Sequence, residues 1–258
     1  MPWCPIRFRV DARKHAALRP FEHVVYPCPT VFQLPPSEEP LPIQQIYRLL
    51  AENERRNQQI IEDVVAAVRE GRSPILLTER TSHADCFAAA LEGRVQNIVS
   101  LKGGQGIKQR RKVAAQIAEI STGIDRVLIA TGRYIGEGFD DTRLDTLFLT
   151  LPVSWSGTLQ QDVGRRHRLH AGKTEARVCD YVDEAVPMLS EMYRKRIRGY
   201  SAVGYRITDG LRRGTPPKGN ETTSAPCLPP PQICRKSGEA GNLLAKPSGN
   251  AAGTHVSL

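Results

Sequence analysis

Short apolar runs alternate along this chain with longer segments in which apolar side chains return every three or four positions. The runs Ile75 to Thr78, Gln96 to Ser100, Val127 to Ala130, Thr146 to Thr150 and Arg177 to Tyr181 are too short for helices and predict strands. Between them His83 to Leu91, Lys108 to Ile120 and Thr158 to His167 carry helical spacing. Upstream, Ile46, Tyr47 and Leu50, then Ile60, Ile61, Val64, Val65 and Val68, mark an apolar face between Ile43 and Arg69. The polar stretch Asn53 to Asn57 divides that face into two helices, and Gly71 and Pro74 end it. Glu22 to Leu34 reads as an extended segment or strand pair broken by Pro27 and Pro29. A last helix, Ala185 to Tyr200, sets Met188, Leu189, Met192, Tyr193 and Ile197 on one side and Arg194, Lys195, Arg196 and Arg198 on the remainder. Its apolar stripe is suited to docking on a sheet and its basic face to nucleic-acid phosphates. Short apolar strands with helices between them imply an α/β domain, a parallel sheet with helices on both faces.

Composition sets the bounds of that domain. The chain has 258 residues, 40% hydrophobic and 24% charged, enough for one well-filled core plus tails. The expected division is an N-terminal tail at 1–19, a lead-in strand and helices at 20–72, the main domain at 73–207 and a tail at 208–258. In that last stretch Pro216-Pro217, Pro229-Pro230-Pro231 and many Gly, Ser, Asn and Thr residues cannot bury enough surface to order themselves, so disorder is expected. A net charge of +9 favours an anionic partner. Nucleic acid fits better than membrane, since no run approaches the roughly eighteen apolar residues of a membrane span. The start, Met1 to Pro5, lacks the apolar core of a secretory signal, so a cytoplasmic location is expected. Six cysteines are scattered without a CxxC pair, which predicts reduced structural thiols. His167 and His170 lack acidic or thiolate neighbours, and no metal site is expected.

In parallel sheets the working loops lie beyond the carboxyl ends of the strands, and the unusual residues of this chain fall there. Thr131 to Asp140, TGRYIGEGFD, is a glycine-spaced loop ending in a carboxylate after the strand Val127 to Ala130. Gln161 to Arg168, QDVGRRHR, sets Arg165 and Arg168 three residues apart behind Gly164, so that on a helix start both guanidinium groups point to one side. These two segments resemble motifs V and VI of the superfamily 2 helicases. Ile75 to Arg80, with Ser82-His83-Ala84, resembles motif IV. Leu101 to Gly106, with Gln109-Arg110 beyond it, is similar to the glycine turn and basic helix start of the same family. The resemblance covers residues 20 to 207 and implies the second, C-terminal RecA-like domain of a DEAD/DEAH-type enzyme.

That resemblance implies specific roles. Arg165 and Arg168 match the arginines that reach the γ-phosphate of ATP, with Gln161 as the leading glutamine, and these three are the expected catalytic residues. Asp140, Gly138 and Gly164 are expected on the nucleotide side. Thr131, Gly132, Arg80, Gly103 and Gly104 are expected to face nucleic acid, with DNA ahead of RNA. Asp162 and Arg166 depart from the aromatic and apolar residues of relatives. The chain shows neither a GxxxxGK[ST] phosphate loop nor a DEAD or DEAH tetrad. ATP with Mg is therefore expected to be held mainly by an N-terminal RecA-like domain, in cis in full-length relatives or in trans. The expected function is half of an ATP-dependent helicase or translocase, inactive as an isolated chain. A non-catalytic nucleic-acid-binding or scaffold protein, or a truncated gene remnant, is the alternative.

Overall fold

The computed structural model describes residues 22–37, 39–104, 106–132, 141–152 and 175–208. In chain order the elements are β1 (Glu22–Pro29), α1 (Ile43–Glu52), α2 (Glu54–Arg69), β2 (Pro74–Thr78), α3 (Thr81–Leu91), β3 (Asn97–Leu101), α4 (Ile107–Glu119), β4 (Arg126–Thr131), β5 (Thr146–Leu149), β6 (Glu175–Val182), α5 (Pro187–Val203) and β7 (Arg206–Ile207). The strands form one sheet in the order β3-β4-β2-β5-β6-β1-β7, with all pairings parallel. The expected helix Thr158 to His167 and both tails at 1–19 and 209–258 lie outside the described residues.

Side-chain alternation along the strands divides the core in two. Ile75 and Leu77, Leu128 and Ala130, and Leu147 and Leu149 face one side, where Val113 and Ile117 of α4 and Tyr200 and Val203 of α5 cover them. Leu76, Val127, Ile129, Phe148 and Cys179 face the other, beneath Ile60, Ile61, Val64 and Val68 of α2 and Phe87 and Leu91 of α3. A third cluster sits at the carboxyl ends of β1, β5 and β6, where Phe32, Leu151 and Val186 meet Ile46 and Leu50 of α1.

Three features differ from the sequence reading. Glu22–Pro29 is a single strand despite two prolines, and it lies inside the sheet, paired along its whole length with β6. The amide of Thr30 bonds Val182 of β6, whereas the carbonyl of Val25 accepts from Thr208 on the other side. By alternation Pro27 and Pro29 also turn away from β6, toward β7, which reaches only Val24 and Val25, so their missing N–H groups cost no ladder bond. The helical break between Ile43 and Arg69 is the single residue Asn53, whose side chain caps α2 by accepting from the Arg56 amide at 2.9 Å. Finally, Cys28 and Cys179 are buried free thiols as expected, but Cys86 is disulfide-bonded, because spacing along the chain does not tell which cysteines meet in space.

Candidate nucleic-acid interface

Because β3, β4, β2 and β5 are neighbours and parallel, the loops leaving them stand side by side on one rim of the sheet. After β3 come Lys102, Gly103 and Gly104, and Gly104 has φ +81°, a left-handed turn open to glycine. After β4 comes Gly132. After β2 come Glu79 and Arg80, and after β5 come Thr150 to Pro152.

Specific contacts lock these loops together. Gly103 donates its amide to the Thr131 hydroxyl at 2.8 Å, which ties the β3 loop to the end of β4. Thr131 is buried, so its side chain acts as a clip between loops and leaves the contact surface to its neighbours. Gly132 lies against the Glu79 carboxylate: a Cβ there would stand 2.5 Å from Oε1 and 3.1 Å from Oε2. Burial against the cleft wall pushes the Glu79 carboxyl above its ordinary pKa, although the residue remains open to solvent on one side. Arg80 precedes the first turn of α3 and donates its amide to the Thr78 hydroxyl at 3.4 Å.

The rim is cationic where the sequence reading placed its glycine turn. α4 begins after Gly106 without a side-chain cap and without an acid in its first turn, so its amides and positive dipole end face outward. Lys108, Arg111 and Lys112 are exposed on this helix, and Lys102 pairs with Asp85 at 2.6 Å. Cations at a helix N-terminus oppose the dipole, an arrangement that an anion relieves.

Under the rim lies a buried polar network supplied by the first turn of α2. The Arg56 guanidinium is 1% exposed. It donates to both carboxylate oxygens of Asp183 at 2.9 and 3.2 Å and to the Thr150 carbonyl at 2.6 Å. Thr30 donates its hydroxyl to the same Asp183. Asn57 donates to the Ala51 carbonyl at 2.7 Å and accepts from Nε2 of His83 at 3.0 Å, while Nδ1 of His83 meets the Thr78 hydroxyl at 3.0 Å. The residues following β1, β5 and β6 and the last residue of β2 are thus all joined to one helical turn. Sequence reasoning missed this network because Arg56 and Asn57 fall in a polar stretch that reads as solvent-facing.

Of the expected site residues, Arg80, Gly103, Gly104, Thr131 and Gly132 come together on this rim. Gly138, Asp140, Gln161, Gly164, Arg165 and Arg168 lie outside the described residues. The basic face expected on α5 needs one correction. Arg196 is buried and pairs with Asp180 through Nε and Nη2 at 2.8 and 2.9 Å, because its position on the helix faces the sheet. Arg194 and Arg198 stay exposed and share Glu191. Among the described residues no group of acidic, histidine or cysteine side chains could hold a metal ion, and no helix is long and apolar enough to cross a membrane.

No protein-family model and no curated protein matches the chain. Among solved structures it is similar to UvsW of T4, with 17% sequence identity and a TM-score of 0.58 over 73% of this chain and 40% of that one. It is also similar to the C-terminal part of the Fun30 ATPase domain, with 12% identity and a TM-score of 0.44 over 58% of this chain and 53% of that one. S. cerevisiae Dbp5 bound to RNA and ADP BeF3 matches with 13% identity and a TM-score of 0.48, over 77% of this chain and 41% of that one. The chain therefore spans two fifths of the length of UvsW. The likeness to UvsW shows the fold alone, a RecA-like α/β fold.

Proposed function

We propose that this chain is the C-terminal RecA-like half of an ATP-dependent nucleic-acid helicase or translocase, carrying a nucleic-acid track on the rim formed by the β3, β4 and β2 loops. The observation behind the reading is the convergence there of Gly104, Gly132, Arg80 and the uncapped, basic start of α4. Glycines let a backbone approach a phosphate closely, and free helix amides with flanking cations hold it. The net charge of +9 supports a polyanion as the partner.

In this reading an N-terminal RecA-like domain, in cis or in trans, holds ATP with Mg. This reading rests on the sequence, which carries neither a GxxxxGK[ST] phosphate loop nor a DEAD or DEAH tetrad. Arg165, Arg168 and Gln161 are proposed to meet the γ-phosphate from this side of the cleft, with Asp140, Gly138 and Gly164 nearby.

Titration with a fluorescent single-stranded oligonucleotide tests the track. Binding is expected to be weak, nearly independent of sequence and steeply reduced by salt. Arg80→Ala should weaken every sequence about equally and reduce the magnitude of the slope of log K against log salt by about one, the loss of one phosphate contact. Absence of binding even at low salt would remove the reading.

A further inference from the structure

The two edges of the sheet are built differently. At one edge β7 is only two residues long, and its Arg206 pairs with Glu22 of β1 at 2.8 Å. Short length and charge are the usual guards of an edge strand. At the other edge β3, Asn97–Leu101, is five residues long and carries neither charge nor proline. Among the described residues it pairs with β4 alone, so one side of its backbone has no ladder.

The surroundings of this edge are amphipathic. On the α3 side Ile98 and Ala88 are only partly covered. On the α4 side a groove of about 640 Å³ runs along the strand, with Gln96, Asn97, Gln109, Gln116 and Glu119 in its wall. A strand added here must alternate, apolar toward α3 and polar or cationic toward the groove.

Ile6-Arg7-Phe8-Arg9-Val10, in the part of the chain before β1, has that alternation. Residues 11–21 reach roughly 36 Å when extended, whereas the five steps of the strand order β3-β4-β2-β5-β6-β1 cover roughly 24 Å. A separate observation points to the same segment. Cys86 lies on α3, which packs on β3 and β4, and is disulfide-bonded, while Cys28 and Cys179 are free. Its partner is therefore Cys4, Cys227 or Cys234. Cys227 and Cys234 stand among Pro226, Pro229, Pro230 and Pro231, which cannot donate to a ladder. Cys4 stands two residues before Ile6, so in an extended segment it shares the face of Ile6, Phe8 and Val10, the face turned to α3.

We propose that residues 6–10 add a strand to the sheet, antiparallel to β3, with Ile6, Phe8 and Val10 on the α3 side and Arg7 and Arg9 in the groove. The antiparallel direction leaves Val10 at the rim where β1 begins. In the groove the arginine stems cover Val99 and Ile120, and their charged ends meet the Glu119 carboxylate and the amide oxygens. This strand does not depend on the nucleic-acid reading above.

Hydrogen–deuterium exchange of the whole chain tests it. Amides of residues 6–10 should exchange about tenfold or more slowly than in an unfolded chain. Phe8→Asp should return them to the unfolded rate and speed exchange in β3 about tenfold, with β2 and β5 unchanged. Phe8→Leu, which keeps the apolar face, should stay protected. Unfolded-chain rates at residues 6–10 of the intact protein, or β3 protection that survives Phe8→Asp, would overturn the proposal. Protection of β3 that grows with protein concentration would overturn it too, assigning the edge to a second copy. Cross-strand NOEs between residues 6–10 and 97–101 of the intact chain decide the pairing without any variant, and their absence counts against it. Peptide mapping should join Cys86 to Cys4, and a link to Cys227 or Cys234 would remove the assignment.

Discussion

His83 illustrates how a titratable side chain is carried inside this core. It is 1% exposed, and each ring nitrogen has one partner. Since Asn57 uses its amide nitrogen on the Ala51 carbonyl, its oxygen must accept the Nε2–H of His83. The bare Nδ1 then accepts from the Thr78 hydroxyl, so the ring is neutral with its proton on Nε2. Burial first, then the charges of Arg56 and Arg80, lower its pKa to about 3. An unfolded imidazole takes up its proton near its ordinary value of 6.5, whereas the folded one waits until about 3. Between these values the unfolded state binds more protons. Stability should therefore fall as pH drops from about 6.5 toward 3, by up to about 1.4 kcal/mol per pH unit for this one group. Urea midpoints across that range, with nitrogen shifts of the ring, will check it. A ring found protonated in the folded chain at pH 5 would contradict the network.

At the scale of elements, the first turn of α2 acts as the bolt of the sheet. Arg56 follows the same face as Ile60 and Val64, and Asn57 the same face as Ile61 and Val68, so both continue the buried stripe with polar side chains. Each then needs a full set of partners, which the carboxyl ends of the strands provide. Arg56→Ala would leave the Asp183 charge buried without its cation and should cost about 3–5 kcal/mol. Asp183→Ala made together with Arg56→Ala should cost clearly less than the sum of the single changes, because neither charge is then stranded. Urea denaturation of the four chains measures this, and additive losses would show that the pair does not act as a unit. The polar break at 53–57 is legible in the sequence as a boundary, but its burial is not. Polarity marks a residue as needing partners without saying whether water or protein supplies them.

For the whole molecule, the consequence of the half-motor reading is kinetic. The chain alone should show no ATP turnover. If a first RecA-like domain restores it in trans, Arg168→Ala should lower turnover by roughly a thousandfold or more while nucleic-acid affinity holds, since a residue of this kind acts on the transition state. Arg168→Lys should not restore it, because an ammonium lacks the planar fork that meets two phosphate oxygens. Steady-state rates of the reconstituted pair decide the matter, and full turnover in both variants would return Arg165 and Arg168 to ordinary surface chemistry.

The sequence by itself determined the kind and order of the elements. A strand buried on both faces must be apolar throughout and a docked helix must repeat every three to four residues, so local periodicity is enough to read an α/β sheet and to place the glycine loops after its strands. The places of Gly103, Gly104, Gly132 and Arg80 just beyond strand ends were legible for that reason. The tertiary structure alone decided that β1 lies between β6 and β7, that Arg56, Asn57 and Arg196 turn inward, and that Glu79 rests on Gly132. Each of these depends on contacts between residues far apart in the chain, such as Arg56 with Asp183 across 127 positions. Periodicity reports which face of an element is covered, whereas partners are chosen only when separate elements pack.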